Sequence, residues 1–263
     1  MKRILGKKQK IRNEDWINAM KHIEDLVSPR ELEMRVEETI ENIWRMIAGK
    51  KAAYAWSAGK DSLVLGKICS MAGITDCMIA VCELEYPVFM QWVEKHRPEG
   101  LEILNTGQNL EWLSEHPSML FPQDSATAAK WFSIVQHRAQ AQYYKENDLD
   151  VLLLGRRRAD GNYCGKGLNV YTDRKGVIRY SPLASWTHEE ILAYIHYHKL
   201  SLPPMYGWKN GYLCGTHPWA ARQWTGSVEN GWREVFKIDE DIVKRAAERI
   251  ESAAKFLDKV SIN

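Results

Sequence analysis

The 263-residue sequence lacks a disulfide framework, a membrane span and any run of closely spaced metal ligands. Its five cysteines, Cys69, Cys77, Cys82, Cys164 and Cys214, are odd in number and include no CxxC or CC pair. A structural zinc site or a four-cysteine iron–sulfur cluster draws on closely spaced pairs, so no iron–sulfur cluster is expected and the thiols read as reduced. No segment approaches the roughly 18 apolar residues of a membrane helix, and none has a signal-peptide core. These absences point to a cytoplasmic protein with no membrane partner. Charge imbalance is also missing, since the formal net charge is only +2, and the chain as a whole is not an obvious polyanion binder. Internal repeats and low-complexity stretches are absent as well.

What is present is the composition of an ordinary globular protein, 45% hydrophobic and 27% charged. The first twelve residues, MKRILGKKQKIR, are the exception, with six basic side chains and no acidic one. They read as a solvated arm, with contact to nucleic acid as the sharper alternative. Two helices follow to residue 48, broken at Ser28–Glu31, where Ser28, Pro29 and Glu31 spell a capping box. Strands are expected at 52–57, 77–82, 101–104 and 150–155. Helices are expected at 62–71, after Pro87, and over 125–146. This alternation predicts an α/β fold, a doubly wound, mainly parallel sheet flanked by helices, with helical N- and C-terminal extensions. The expected division is residues 1–48 as basic arm and helices, 49–220 as the nucleotide-binding domain, and 221–263 as a loop and helix packing on the body. In the last segment Val243, Ala246, Ile250, Ala253, Leu257 and Val260 form one apolar stripe, which would dock on the body or support a homodimer through the C-terminal helix.

The stretch WSAGKDS, at the end of the first strand, carries the chemistry. It is no Walker loop, because neither Ala53 nor Tyr54 supplies the upstream glycine and Asp61 stands where Ser or Thr follows the lysine. It still holds the parts of an anion cradle. Ala58 and Gly59 permit a tight turn, and the free N–H groups of the next helix point at the loop. Lys60 adds a charge, and Ser57 and Ser62 add hydroxyls. Asp61 would cap the helix or help to hold Mg²⁺. A second strand end, LLLGRRRADG, brings Gly155, Arg157 and Arg158 to the same predicted edge of the sheet, where ligands of such sheets bind.

Three segments in order, SAGKDS, LLLGRRRADG and RYSPLASWTHEEILAYIHYHKLSLPPMY, resemble the phosphoadenosine phosphosulfate reductase family. That family belongs to the PP-loop ATP pyrophosphatase (adenine nucleotide alpha-hydrolase-like) superfamily and includes the small subunit of ATP sulfurylase. The resemblance covers about 50–220. It implies that Ser57, Ala58, Gly59, Lys60, Asp61, Ser62 and Gly155 bind a nucleotide, and that Lys60, Asp61, Arg157 and Arg158 are catalytic. ATP and Mg²⁺ would be used to adenylate an acceptor, whose identity the residues leave open, with release of pyrophosphate. Trp186 and Thr187 match the later motif, where Thr187 would cap its helix.

The sequence departs from the family at two places. Where the second strand commonly ends Asp-Thr-Gly, it has Val81, Cys82 and Glu83, with Glu83 and Glu85 as substitute acids. The Glu-Cys-Gly-Leu-His nucleophile segment of sulfonucleotide reductases does not occur. CGTH at 214–217 leaves Cys214, near His217, as a possible nucleophile, so a thiol-dependent sulfonucleotide reductase is the second reading. A non-catalytic nucleotide-binding protein contacting nucleic acid is the third. HEEILAYIH is not a zinc-peptidase motif, since Leu192 sits at the second histidine position.

Overall fold

The computed structural model describes residue 2, residues 4–6 and residues 11–261. Arg3, Lys7, Lys8 and Lys10 of the basic arm lie outside the described residues. The chain forms two compact units interleaved along the sequence. The first comprises Met1–Ile79, Gln91–Leu104 and Gln140–Thr216; the second comprises Ala80–Met90, Asn105–Ala139 and His217–Asn263.

The N-terminal helices are α1 (Asn13–Lys21), α2 (Ile23–Leu26) and α3 (Pro29–Ile47). The expected capping box starts α3: the Glu31 N–H donates to Ser28 Oγ at 3.3 Å and the Ser28 N–H to the Glu31 carboxylate at 3.1 Å. Then come β1 (Ala52–Ala55), α4 (Lys60–Met71), β2 (Cys77–Val81), α5 (Pro87–His96) and β3 (Leu101–Asn105). Helices α6 (Leu110–Glu115), α7 (Ser125–Trp131) and α8 (Arg138–Glu146) precede β4 (Val151–Leu153). The single helix expected over 125–146 runs through, but Phe132–His137 is wound as a π-helix. A hairpin of β5 (Val170–Thr172) and β6 (Ile178–Tyr180) leads to α9 (His188–Tyr197) and the short α10 (Gly211–Cys214). The last helices are α11 (Val228–Ile238), α12 (Glu240–Ala247) and α13 (Glu251–Ser261).

The six strands form one sheet in the order β3-β2-β1-β4-β6-β5. Strand β1 pairs in parallel with β2 (Tyr54 opposite Cys77) and with β4 (Tyr54 opposite Leu153). Strand β6 continues the parallel set beside β4, and β5 is antiparallel to β6 at the edge. Residues of β2 and β4 are buried throughout, the pattern of central parallel strands covered on both faces. From β1 the order proceeds one way to β2 and β3 and the other way to β4, so the chain reverses direction between β1 and β4. In open parallel sheets ligands bind outside the carboxyl ends of strands at such a reversal.

Helices α3, α4 and α9 pack on one another, with α1 and α2 against α9. The start of α9 is set by the other expected box, in which the Glu190 N–H donates to Thr187 Oγ1 (3.1 Å) and the Thr187 N–H to Glu190 Oε2 (2.6 Å). Trp186 is fully buried and donates its indole N–H to Thr39 Oγ1 at 3.0 Å, which ties the Trp-Thr motif to α3.

In the second unit Phe121, Trp219 and Trp232 form an aromatic centre, with Trp232 4.9 Å from Phe121 and 5.7 Å from Trp219. Gly231 is required there, because a Cβ would sit 2.3 Å from the Phe121 ring. The one C-terminal helix expected from the apolar stripe is two, α12 and α13, folded against each other and against α11. Val243, Ala246, Ala253 and Phe256 are buried in that arrangement, while Val260 remains 41% exposed.

Candidate functional site

The site lies within the first unit, at the carboxyl ends of β1 and β4. After β1 the chain turns sharply at Ala58, whose φ of +56° lies in the left-handed region. Gly59 is the N-cap of α4, with ordinary extended dihedrals. Its hydrogen is functional for space instead, since a Cβ would approach Ser57 Oγ at 3.3 Å and Thr216 Oγ1 and the Tyr206 hydroxyl at 3.6 Å.

Both serines stitch the loop to the first turn of the helix. The Ser57 N–H donates to Ser62 Oγ (3.0 Å), which itself donates to the Gly59 carbonyl (2.9 Å). The Thr216 hydroxyl donates to the Ser57 carbonyl at 2.8 Å. The Lys60 N–H, one of the donors that a helix start leaves without an intrahelical partner, donates to the Tyr206 hydroxyl at 2.7 Å. Tyr206 thus stands where an anion would be received.

The loop after β4 meets this turn closely. A Cβ on Gly155 would lie 3.2–3.3 Å from the Asp61 carbonyl group and the Ser62 nitrogen, so glycine is what lets the two loops touch. Arg157 is completely buried and binds two carboxylates: its Nε lies 2.8 Å from Asp61 Oδ1 and its Nη2 2.8 Å from Asp160 Oδ2. Lys60 is 3% exposed, with Nζ 2.7 Å from Asp61 Oδ2 and 4.9 Å above the Trp16 ring. Two cations and two anions therefore form one internally compensated cluster, which is how buried charges are tolerated.

His188 completes the cluster. Its Nδ1 lies 3.1 Å from Arg157 Nη2, a donor, so Nδ1 is the acceptor and the ring proton sits on Nε2. Burial first, and the Arg157 charge second, push its pKa down to about 4, so the imidazole is neutral at physiological pH. Its Nε2 is buried without a hydrogen-bond partner among the described residues. Trp16 packs edge-on against His188 at 4.6 Å and stacks on Tyr212 at 5.7 Å, and Tyr212 meets Tyr206 at 5.2 Å.

Ser57, Ala58, Gly59, Lys60, Asp61, Ser62, Gly155 and Arg157 are accordingly brought together. Arg158 is not among them: it is exposed and donates to Asn169 Oδ1 at 2.6 Å. Cys214 is buried at the end of α10, two residues before Thr216. His217, in the second unit, packs edge-on against Phe132 at 5.2 Å. All five cysteines are free of disulfides and buried. Of the two substitute acids, Glu83 is exposed, whereas burial raises the Glu85 pKa to about 8. Glu85 accepts from the Cys82 N–H at 3.3 Å, and its Oε2 has no partner among the described residues.

The donor set does not fit a resident Mg²⁺. Both Asp61 oxygens face cations. Among the described residues no group of three or more His, Cys, Asp or Glu side chains is placed to hold a metal. Mg²⁺ commonly reaches such sites on nucleotide phosphates, as part of the substrate.

The phosphoadenosine phosphosulfate reductase domain model matches residues 51–213. The chain belongs to that family. The phosphoadenosine phosphosulfate reductase of Emericella nidulans is 28% identical over 110 residues, 42% of this chain and 33% of that protein. The phosphoadenosine 5′-phosphosulfate reductase of Vibrio parahaemolyticus is 23% identical over 125 residues, 48% of this chain and 47% of that one. The chain thus spans a third to a half of the curated relatives it matches. Among solved structures, the phosphoadenylyl-sulfate reductase of Candida auris aligns with a TM-score of 0.49 at 16% identity, covering 68% of this chain and 91% of that one. The NMN synthetase of Francisella tularensis aligns with a TM-score of 0.46 at 14% identity, covering 87% and 93%.

Sequence reasoning missed Asp160, His188, Tyr206 and Tyr212, although each lies inside the family match. Asp160 sits three residues after Arg157, a spacing that reads equally as a solvated turn. Trp16 and Thr216 fall outside residues 51–213, and no local pattern distinguishes them.

Proposed function

We propose that this member of the phosphoadenosine phosphosulfate reductase family is a PP-loop enzyme. It binds ATP through its phosphates at residues 57–62 and adenylates an acceptor. An acceptor oxygen attacks the α-phosphorus, the α–β bridging bond breaks, and pyrophosphate leaves with the electron pair. The chain contributes position and charge: the start of α4, the Ser57 and Ser62 hydroxyls, and Lys60 turned from Asp61 toward the phosphates. Arg157 holds Asp61 and thereby the loop. The observation that carries the reading is the contact of Gly155 with the first turn of α4, which unites the two glycine-bearing strand ends at the sheet reversal.

A thiol-dependent reduction of a sulfonucleotide is the second reading, favoured by the named relatives and by Cys214 lying two residues from Thr216, which bonds the loop. In it the Cys214 thiolate attacks the sulfate sulfur, the nucleotide leaves, and a second thiol releases sulfite as a disulfide forms. Burial of Cys214 weighs against it. One experiment separates the two: the protein is incubated with ATP and Mg²⁺ plus a panel of acceptors, or with phosphoadenosine phosphosulfate plus a thiol donor, and products are read by mass spectrometry. Pyrophosphate with an adenylated product, lost in Lys60→Ala, is expected. Sulfite release that Cys214→Ala abolishes would replace the first reading with the second. A cytoplasmic location is proposed with it; among the described residues no helix is long and apolar enough to cross a membrane.

A further inference from the structure

The first unit holds a cavity of about 780 Å³ that is not the PP-loop site. Its size is that of small-molecule sites, about 300–1,000 Å³. It runs along α4 past the ends of α5 and α9, and Tyr54 and Trp56 of the β1 segment line it. Its far end is formed by Ile74, Thr75, Pro98 and Glu99, the residues leading into β2 and β3. The cavity therefore reaches the amino-terminal edge of the sheet, opposite the edge that carries the PP-loop.

Three observations describe what it would hold. Flat rings line it: Trp92 stacks between Trp56 (6.2 Å, 14°) and His96 (4.3 Å, 15°), and Tyr194 stacks on His198 (4.1 Å, 28°). Gly66 keeps this wall open, since a Cβ there would press on Tyr54 at 3.2 Å and Trp56 at 3.3 Å. Charge is one-sided, with Lys67, Arg97 and Lys199 against the single carboxylate Glu99. Arg97 is already engaged by Glu94 and the Leu101 carbonyl. The ammonium groups of Lys67 and Lys199 have no hydrogen-bond or ion-pair partner among the described residues. Finally, the Trp92 indole N–H is buried without an acceptor among the described residues, a deficit that a ligand acceptor would repair.

We propose that this cavity binds a mononucleotide. The base stacks on the His96 or the His198 ring, each backed by the aromatic ring it already stacks on, and the phosphate lies between Lys67 and Lys199. An acceptor on the ligand takes the Trp92 N–H. Two unengaged lysines suit one phosphate group, whereas a nucleic-acid strand follows a longer basic track. The proposal does not rest on PP-loop activity.

Isothermal titration of the full chain with AMP, adenosine, inorganic phosphate and an oligothymidylate tests it, with the surface variant Lys67→Glu/Lys199→Glu as control. Wild type is expected to bind AMP in two events, of which the variant loses one or weakens it at least tenfold, while ATP-dependent pyrophosphate release is unchanged. Adenosine or phosphate alone binds that site at least tenfold more weakly. A single event that the variant abolishes also supports the cavity, and then it is the PP-loop assignment that fails. A single event that survives the variant overturns the proposal. So does phosphate binding as tight as AMP, or an oligothymidylate that displaces AMP from the site.

Discussion

Replacing Arg157 by alanine separates a phosphate ligand from a structural clamp. The side chain is fully buried, with Asp61 and Asp160 each 2.8 Å from its guanidinium and the Trp186 carbonyl and His188 beyond. A pure ligand would leave folding untouched when removed. Here the substitution strands Asp160, whose side chain is 5% exposed, and half-frees Asp61. Breaking a buried pair by deleting one partner costs about 3–5 kcal/mol, because the remaining charge is desolvated without compensation. For a chain of this size about 2–4 °C of melting temperature accompanies each kcal/mol. Arg157→Ala should therefore melt roughly 6–20 °C below wild type in a thermal scan followed by circular dichroism. Asp160→Asn in the Arg157→Ala background should restore part of the loss, since it deletes the stranded charge. A variant that melts within about 2 °C of wild type, with no rescue from Asp160→Asn, would refute the clamp and return Arg157 to the role of ligand.

Four further outcomes follow from the same geometry. Because His188 has its pKa lowered to about 4 in the folded chain against an ordinary 6.5, its contribution is present above pH 6.5 and lost as pH falls toward 4. His188→Gln, which keeps an acceptor toward Arg157, should flatten that acid limb of a urea-stability profile by up to roughly 3 kcal/mol. Glu85 has the opposite sign: its folded pKa of about 8 exceeds the ordinary 4.5, so its contribution to stability is lost as pH rises from 4.5 to 8, and Glu85→Gln should raise the melting temperature more at pH 8 than at pH 5. Gly155→Ala places a methyl group 3.2–3.3 Å from Asp61 and Ser62 backbone atoms, and should lower nucleotide affinity at least tenfold in a titration while the circular dichroism spectrum stays native. Tyr206→Phe leaves the Lys60 N–H without its acceptor, costing the nucleotide-free protein about 1–3 kcal/mol; because a phosphate oxygen would then meet no competitor, ATP should bind more tightly in the same variant.

Legibility in the sequence followed the range of the interaction. The α/β alternation was readable because strand and helix periodicities are local, and so were the capping boxes at Ser28/Glu31 and Thr187/Glu190, which close within three residues. The hairpin of β5 and β6 was not, since VYTDRKGVIRY offers two three-residue strands that are too short for periodicity and are held by an ion pair between the buried Arg179 and the half-buried Asp173. The break between α12 and α13 has no glycine or proline to announce it, and it follows from the apolar sides of two helices finding each other. At the site, SAGKDS and GRRR signalled their own chemistry, yet their partners are distant in the chain. Lys60 meets Trp16 and Tyr206, and Arg157 meets Asp61 and His188. The physical consequence is a change in what the motif lysine and arginine mean. In sequence they are charges awaiting a phosphate, whereas in the fold each is already neutralised by Asp61. Under the proposed function, nucleotide binding would exchange one buried pairing for another, its strength set by the difference between phosphate and Asp61 as partners for Lys60. In that proposal Asp61, the residue that ruled out a Walker loop, is the competitor against which a bound phosphate would be measured.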